Sequence, residues 1–263
     1  RLQKGFEMDL EPQLSGRVAI VTGASSGLGA HFARLLAEHG AAVAITARRV
    51  ERIEDLAGRL RADGHRAIAL ALDVADAASI GPTLDKVQEE LGPLGILVNN
   101  AGMGGEGMAL DVSIEDFDAT FAVNVRGTFF AAREAARRML ASGTEGRIIN
   151  IASIASHTVL PGLSAYCGSK AAVAMLTRSM AREWARSRIA VNALCPGYIE
   201  TAINDAWWPT DGGQRQLKGF PRRRLMEASD LGTASMMLAG PAASAMTGSV
   251  ITVDDGQSLP GGG

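Results

Sequence analysis

The sequence predicts a doubly wound α/β domain: a parallel sheet of about seven strands with helices on both faces. Short apolar, β-branched runs recur along the chain with helical stretches between them. The runs lack polar alternation, as strands do when helices cover both faces of a sheet. Glycine-rich turns punctuate the strand-to-helix junctions, and no linker, repeat or low-complexity segment divides the chain.

Taken in order, residues 18–21 form the first strand and end in Thr22-Gly23. An alanine- and leucine-rich helix over 28–38 follows and stops at Gly40. Residues 42–46 are the second strand, and a charged helix over 50–62 ends at Gly64. The third strand, 67–72, runs into Asp73, and the fourth, 96–98, into Asn99-Asn100-Ala101-Gly102. A long helix over 117–139, a strand at 147–151, a long helix over 166–185 and strands at 189–194 and 250–253 complete the pattern. The domain is set at 14–257, with an extension at 1–13 and a tail at 258–263. Residues 202–221 read as an irregular insertion of the kind that serves as a substrate lid.

The chain has 263 residues, 47% hydrophobic and 21% charged, with a formal net charge of -2. That profile suits a globular domain and offers no basic field for nucleic acid. No apolar run is long enough to cross a membrane. Cys167 and Cys195 show neither metal-ligand spacing nor a disulfide framework, so no metal is expected and a reducing cytoplasm is inferred. Arg222, Arg223 and Arg224 could meet an anionic thioester substrate, although a solvated surface is the simpler reading.

Chemistry concentrates at four places. The turn Thr22-Gly23-Ala24-Ser25-Ser26-Gly27-Leu28-Gly29 lies between a strand and a helix. There glycines admit close approach of a pyrophosphate, and the helix start offers unpaired N–H groups, as in Rossmann dinucleotide sites. The second strand ends at Ala47 followed by Arg48 and Arg49, with no acidic residue to repel a 2′-phosphate. Guanidinium groups pair with phosphate, so NADP(H) is favoured over NAD(H); caps at the strand end are the plain alternative. Tyr166 and Lys170 stand four apart on a helix, one turn above each other. A nearby ammonium lowers a phenol's pKa and makes it a usable acid–base group. Ser153, at the end of the fifth predicted strand, faces the crevice at the sheet's carboxyl edge. Its hydroxyl can steady a developing oxyanion. Alone it would read as a cap or turn residue, and Ser156 and Ser164 are weaker substitutes.

The Gly-x-x-x-Gly-x-Gly spacing, Asn99-Asn100-Ala101-Gly102, and Tyr166 with Lys170 and Ser153 together resemble the short-chain dehydrogenase/reductase family. The likeness extends from about Leu14 to Gln257 and includes 3-oxoacyl-carrier-protein reductase-like and gluconate dehydrogenase-like members. It implies roles for further residues. Gly23, Ser25, Ser26, Gly27, Leu28 and Gly29 would cradle the cofactor, Asp73 and Val74 its adenine ring, and Asn100, Ala101 and Gly102 the groove. Asn124 would hold a water that relays protons from Lys170; a packing role in its helix is the alternative. Pro196, Gly197, Ile199 and Thr201 would contact the nicotinamide, and Lys170 the ribose. The substrate wall is expected from Met103, Gly104, Ser153, Ile154, Ala155, Leu160, Tyr198, Trp207 and Trp208. The tryptophans could equally pack the loop or meet another subunit. The implied reaction is hydride transfer to or from a small carbonyl or alcohol: a ketone, keto ester or 3-oxoacyl group, or alternatively a sugar, sugar acid or polyol. A catalytically silent NADP sensor or scaffold is a weaker alternative. The family further implies a homotetramer or homodimer.

Overall fold

A computed structural model of the chain describes residues 14–105, 107–200 and 206–259. Seven strands form one sheet: β1 (Val18–Thr22), β2 (Ala42–Ala47), β3 (Ala67–Ala71), β4 (Leu94–Asn99), β5 (Gly146–Ile151), β6 (Ile189–Pro196) and β7 (Val250–Val253). Their order is β3-β2-β1-β4-β5-β6-β7, with every neighbouring pair parallel. The order reverses between β1 and β4. That leaves a crevice at their carboxyl ends, where ligands bind in open α/β sheets.

The helices are α1 (Gly27–Glu38), α2 (Val50–Ala62), α3 (Ala77–Leu91), α4 (Ile114–Phe121), α5 (Thr128–Ser142), α6 (Ser164–Trp184), α7 (Asp211–Gly219) and α8 (Gly232–Ala239). Side chains alternate across each strand, so β1 sends Ala19 and Val21 to one core and Val18 and Ile20 to the other. The first core packs them against Phe32 and Leu36 of α1, Leu56 and Leu60 of α2 and Leu238 of α8. The second packs Ile20, Leu97 and Ile148 against Leu84 of α3, Ala132 and Met139 of α5 and Met180 of α6. Ala131, Ala132, Ala135 and Ala136 let α5 lie close to the sheet, so that small-residue face is spent within the subunit.

The predicted helix over 117–139 is interrupted. Between α4 and α5 the backbone makes a π-helical turn, Ala122–Gly127. The wider turn re-aims Asn124 inward, and such bulges are frequent at functional sites. α3 and α8 escape the sequence pattern. Pro82 lies inside α3, and α8 has no polar face. Within the insertion at 202–221, residues 202–205 lie outside the described residues, and the rest is not irregular. Thr210 accepts the Gly213 N–H and starts α7; Gly212 and Gly213 conceal it from propensity.

Candidate active site

The glycine turn is clamped from the next strand in the sheet. The backbone N–H groups of Asn100 and Ala101 both donate to Thr22 Oγ1 at 3.1 Å. Asn100 Nδ2 donates to the carbonyls of Thr22 and Gly23, also at 3.1 Å. Gly29 sits where a Cβ would come within 2.5 Å of both Gly23 O and Asn100 Nδ2, so only glycine lets α1 start this close to β1. Gly23 and Gly27 have positive φ.

Arg49 bridges this turn. Its Nε and Nη2 donate to Ser25 Oγ at 3.1 and 2.7 Å, and Nη2 to Ser26 Oγ at 2.8 Å. Arg48 beside it is exposed. Of the two arginines, it is Arg49 that touches the cradle. The exposed serine hydroxyls and guanidinium make a phosphate-sized set of donors, which fits a 2′-phosphate on the adenosine ribose. Asp73 Oδ1 accepts the Ala75 N–H at 3.0 Å, and Val74 is buried. The Asp73 side chain thus shapes its turn.

At the carboxyl end of β5, Ser153 is in extended backbone and starts a short 3₁₀ turn, Ile154–Ser156. Its Oγ accepts the Ala155 N–H at 3.1 Å, which leaves the hydroxyl proton free to donate outward. Tyr166, on the first turn of α6, sets its phenol near this serine, whose hydroxyl acts on it. Burial pushes the Tyr166 phenol up, and the Ser153 hydroxyl opposes that rise. Lys170 Nζ lies 5.7 Å from the Tyr166 ring centroid and donates to Ile151 O at 2.9 Å. Burial brings the Lys170 pKa down to about 8. The lowering of the phenol by the ammonium that spacing predicts is not found; the cost of burying a phenolate sets the direction. Ser156 donates to Lys170 O at 2.9 Å, a helix-bracing role rather than a catalytic one. Ser164 opens α6 and is exposed.

Asn124 is fully buried in its π-turn. Its Oδ1 accepts the Met103 N–H and its Nδ2 donates to Met103 O, both at 2.9 Å. Nδ2 also donates to Ser169 Oγ at 2.9 Å, and that hydroxyl donates to Tyr166 O at 2.7 Å. The Asn124 side chain thus holds the loop after β4 against α6. Ser169 completes this link, and sequence reasoning missed it. It stands directly before Lys170, but no spacing signal marks it.

The segment Pro196-Gly197-Tyr198-Ile199 leaves β6 into the same crevice. Thr201 lies outside the described residues. Tyr198 stacks on Phe220 at 5.4 Å between ring centroids and meets Trp208 edge-on at 5.5 Å. Trp208 is buried, whereas Trp207 is half-exposed and donates its indole N–H to Gln216 Oε1 at 2.9 Å. The pair therefore splits: Trp208 packs into an aromatic cluster with Tyr198 and Phe220, and Trp207 lies over α7. Ile154 and Ala155 are buried, Leu160 is half-buried, and Met103 and Gly104 are exposed at the mouth. Phe220, which the sequence did not mark, completes this aromatic cluster. Arg222 and Arg224 pair with acidic groups: Arg224 Nε lies 2.7 Å and Arg222 Nη1 3.4 Å from the Asp255 carboxylate, and Arg224 Nη1 3.1 Å from Asp230 Oδ2. Arg222 and Arg223 are exposed, as the solvated-surface reading expects, while Arg224 ties residues 220–224 to Asp230 and Asp255.

Comparison with known proteins agrees with this geometry. Residues 17–212 match the short chain dehydrogenase family. D-threitol dehydrogenase of Mycolicibacterium smegmatis is 35% identical over 254 residues, covering 97% of each chain. The crystal structure of gluconate 5-dehydrogenase from Burkholderia cenocepacia, in complex with NADP and tartrate, superposes with a TM-score of 0.91 at 36% identity, over 95% of this chain and 99% of that one. An actinorhodin polyketide ketoreductase with NADPH gives 0.87 at 32% identity, over 95% and 100%. With the family match, the parallel sheet and the Ser153–Tyr166–Lys170 cluster in agreement, the chain belongs to the short-chain dehydrogenase family.

Proposed function

We propose that this chain is an NADP(H)-dependent oxidoreductase that interconverts a ketone, keto ester or 3-oxoacyl group with its secondary alcohol. The convergence of Ser153, Tyr166 and Lys170 beside the aromatic Tyr198–Trp208–Phe220 wall carries this reading. Arg49 on Ser25 and Ser26 supports NADP(H), as do the relatives crystallised with NADP or NADPH. The cofactor supplies the hydride. Tyr166, kept protonated by burial, gives its proton to the substrate oxygen in reduction. Ser153 donates to the same oxygen and steadies its charge. Lys170 spends one N–H on Ile151 O and keeps two for the ribose hydroxyls. Asn124 holds the Met103 loop in place and orders the relay region next to Lys170.

A polyol or sugar-acid dehydrogenase is the second reading. The relatives named for threitol and gluconate favour it. Loss of NADPH absorbance with a panel of ketones, keto esters, acetoacetyl thioesters and sugar acids separates the two. Tyr166→Phe is expected to bind NADPH within about threefold of the parent and to lose at least about a hundredfold in turnover. Full activity in that variant would end the assignment.

A homotetramer, or a homodimer, is proposed for the assembly. Exposed Ile114, Phe117 and Met175 on α4 and α6, with a groove of about 370 Å³ between those helices, suit a second copy. Cys167 and Cys195, both free, suit a reducing cytoplasm. Among the described residues no helix is long and apolar enough to cross a membrane.

A further inference from the structure

The last turn of the described chain reaches back into the crevice. After β7, Asp254 accepts the Gly256 N–H on Oδ1 at 3.0 Å and the Ser258 N–H on Oδ2 at 2.8 Å. Its backbone carbonyl accepts the Gln257 N–H at 2.8 Å. These bonds fix the direction in which Gln257 points. Gln257 Oε1 accepts the Tyr198 N–H at 2.6 Å, and Nε2 donates to Arg224 O at 3.4 Å. One side-chain amide therefore joins the arm after β6 to the return of the lid.

Other contacts at this junction converge on the same place. Gly197 is needed there, because its Cβ would meet Gln257 Oε1 and come within 2.8 Å of Asp254 Cβ. Gly197 N–H donates to Val253 O at 3.0 Å. Met226 N–H donates to Tyr198 O at 3.0 Å, and Glu200 N–H to Met226 O at 3.2 Å. Asp255, in the left-handed region at φ 54°, turns its carboxylate to Arg224 and Arg222. Tyr198 is thus gripped by its backbone through Gln257 and by its ring through Trp208 and Phe220.

We propose that Gln257 is a positioning residue that sets the substrate wall: its amide locks the Tyr198 backbone to the lid return at Arg224. It acts on substrate through Tyr198 and touches neither the glycine turn nor Arg49. The role rests on the reading of this crevice as the NADP(H)-linked active site.

Two variants test it. Gln257→Met keeps the length and removes both bonds. Gln257→Glu keeps the acceptor for Tyr198 N–H but, when ionised, faces Arg224 O with a second acceptor. Protonated, its carboxyl again offers one acceptor and one donor, like the native amide. A free glutamate titrates near pH 4.3. At 257 the carboxyl would face the charges of Asp254, Asp255 and Asp230 and those of Arg222, Arg224 and His157, and the Tyr198 phenol, held up by burial, stays neutral between pH 5 and 8. The readouts are KM for the best ketone of the panel, NADPH affinity, and the rate of trypsin cleavage at Arg222–Arg224 without substrate.

Gln257→Met is expected to raise KM and the cleavage rate by about tenfold each, the size of one lost half-buried hydrogen bond. NADPH affinity should stay within about threefold. Gln257→Glu should match it at pH 8 and return toward the parent at pH 5, each compared with the parent at the same pH. A general loss of structure would not reverse on acidification. Parental KM and cleavage in Gln257→Met, or a Gln257→Glu ratio that is flat with pH, overturns the proposal. If the parent turns over no substrate, the functional reading fails, and the cleavage ratio alone decides the role of Gln257. Should Gln257→Met fail to fold, the pH dependence of Gln257→Glu decides.

Discussion

Replacing Lys170 with methionine should change stability in a pH-dependent way that only a buried, unneutralised ammonium produces. Lys170 is 5% exposed, and burial brings its pKa from 10.5 to about 8. At 1.36 kcal/mol per pH unit, the ammonium costs the folded apo protein roughly 3 kcal/mol below pH 8. Between about pH 8 and 10.5 the unfolded chain binds a proton here that the folded chain does not. The parent should therefore gain stability relative to Lys170→Met as pH rises through that window, and the gap should be flat below it. At pH 7 the variant escapes the charge burial but loses the bond to Ile151 O, worth about 1.5–3 kcal/mol for a charged donor. The net difference at pH 7 is thus small, between roughly zero and 2 kcal/mol in favour of the inactive variant. Urea unfolding of both proteins at pH 7, 8, 9 and 10 measures it, and titrations shared by both cancel. A stability gap independent of pH, or a parent that loses ground as pH rises, would refute the account of Lys170. A variant that is stable but inactive would mean that the site holds strain its chemistry requires.

The remaining predictions concern cofactor and linkage. Arg49→Ala should weaken NADPH binding by about tenfold to a hundredfold, as for a lost charged hydrogen-bond pair, and leave NADH within about twofold. Fluorescence titration of both cofactors reads this, and an equal loss for both would remove Arg49 from 2′-phosphate recognition. Arg48→Asp should shift preference in the same direction through repulsion of the phosphate; unchanged preference would leave Arg48 with no part in it. Ser169→Ala strips Asn124 Nδ2 of one acceptor and Tyr166 O of a donor inside a buried cluster. It should cost about 1–3 kcal/mol in unfolding free energy and lower kcat more than it weakens NADPH binding. Parental kcat in a destabilised variant would confine Ser169 to packing.

The features legible in the sequence are those whose partners lie close along the chain. Strand and helix periods, the glycine turn between β1 and α1, and the i, i+4 spacing of Tyr166 and Lys170 are local. A dipeptide such as Arg48-Arg49 after a strand is equally readable, although which arginine reaches Ser25 is not. Backbone geometry ties such neighbours together whatever the rest of the chain does. The break between α4 and α5 was invisible because a π-turn leaves almost no trace in hydrophobic spacing. α7 was hidden by its two glycines.

What only the tertiary structure decided is who stands opposite whom. Asn124 and Ser169 are 45 positions apart, and Tyr198 and Gln257 are 59 apart. Crossovers of the parallel sheet bring them within hydrogen-bonding distance at one edge, and no local pattern encodes such a meeting. The raised pKa of Tyr166 belongs to the same class. Spacing alone places an ammonium beside the phenol, but its pKa depends on how much water the folded crevice excludes. The sequence by itself determined the reaction's chemical groups and their order along the chain. The fold determined their burial, their bracing by Ser169 and the bond from Tyr198 to Gln257, because desolvation and long-range hydrogen bonds exist only once the sheet is assembled.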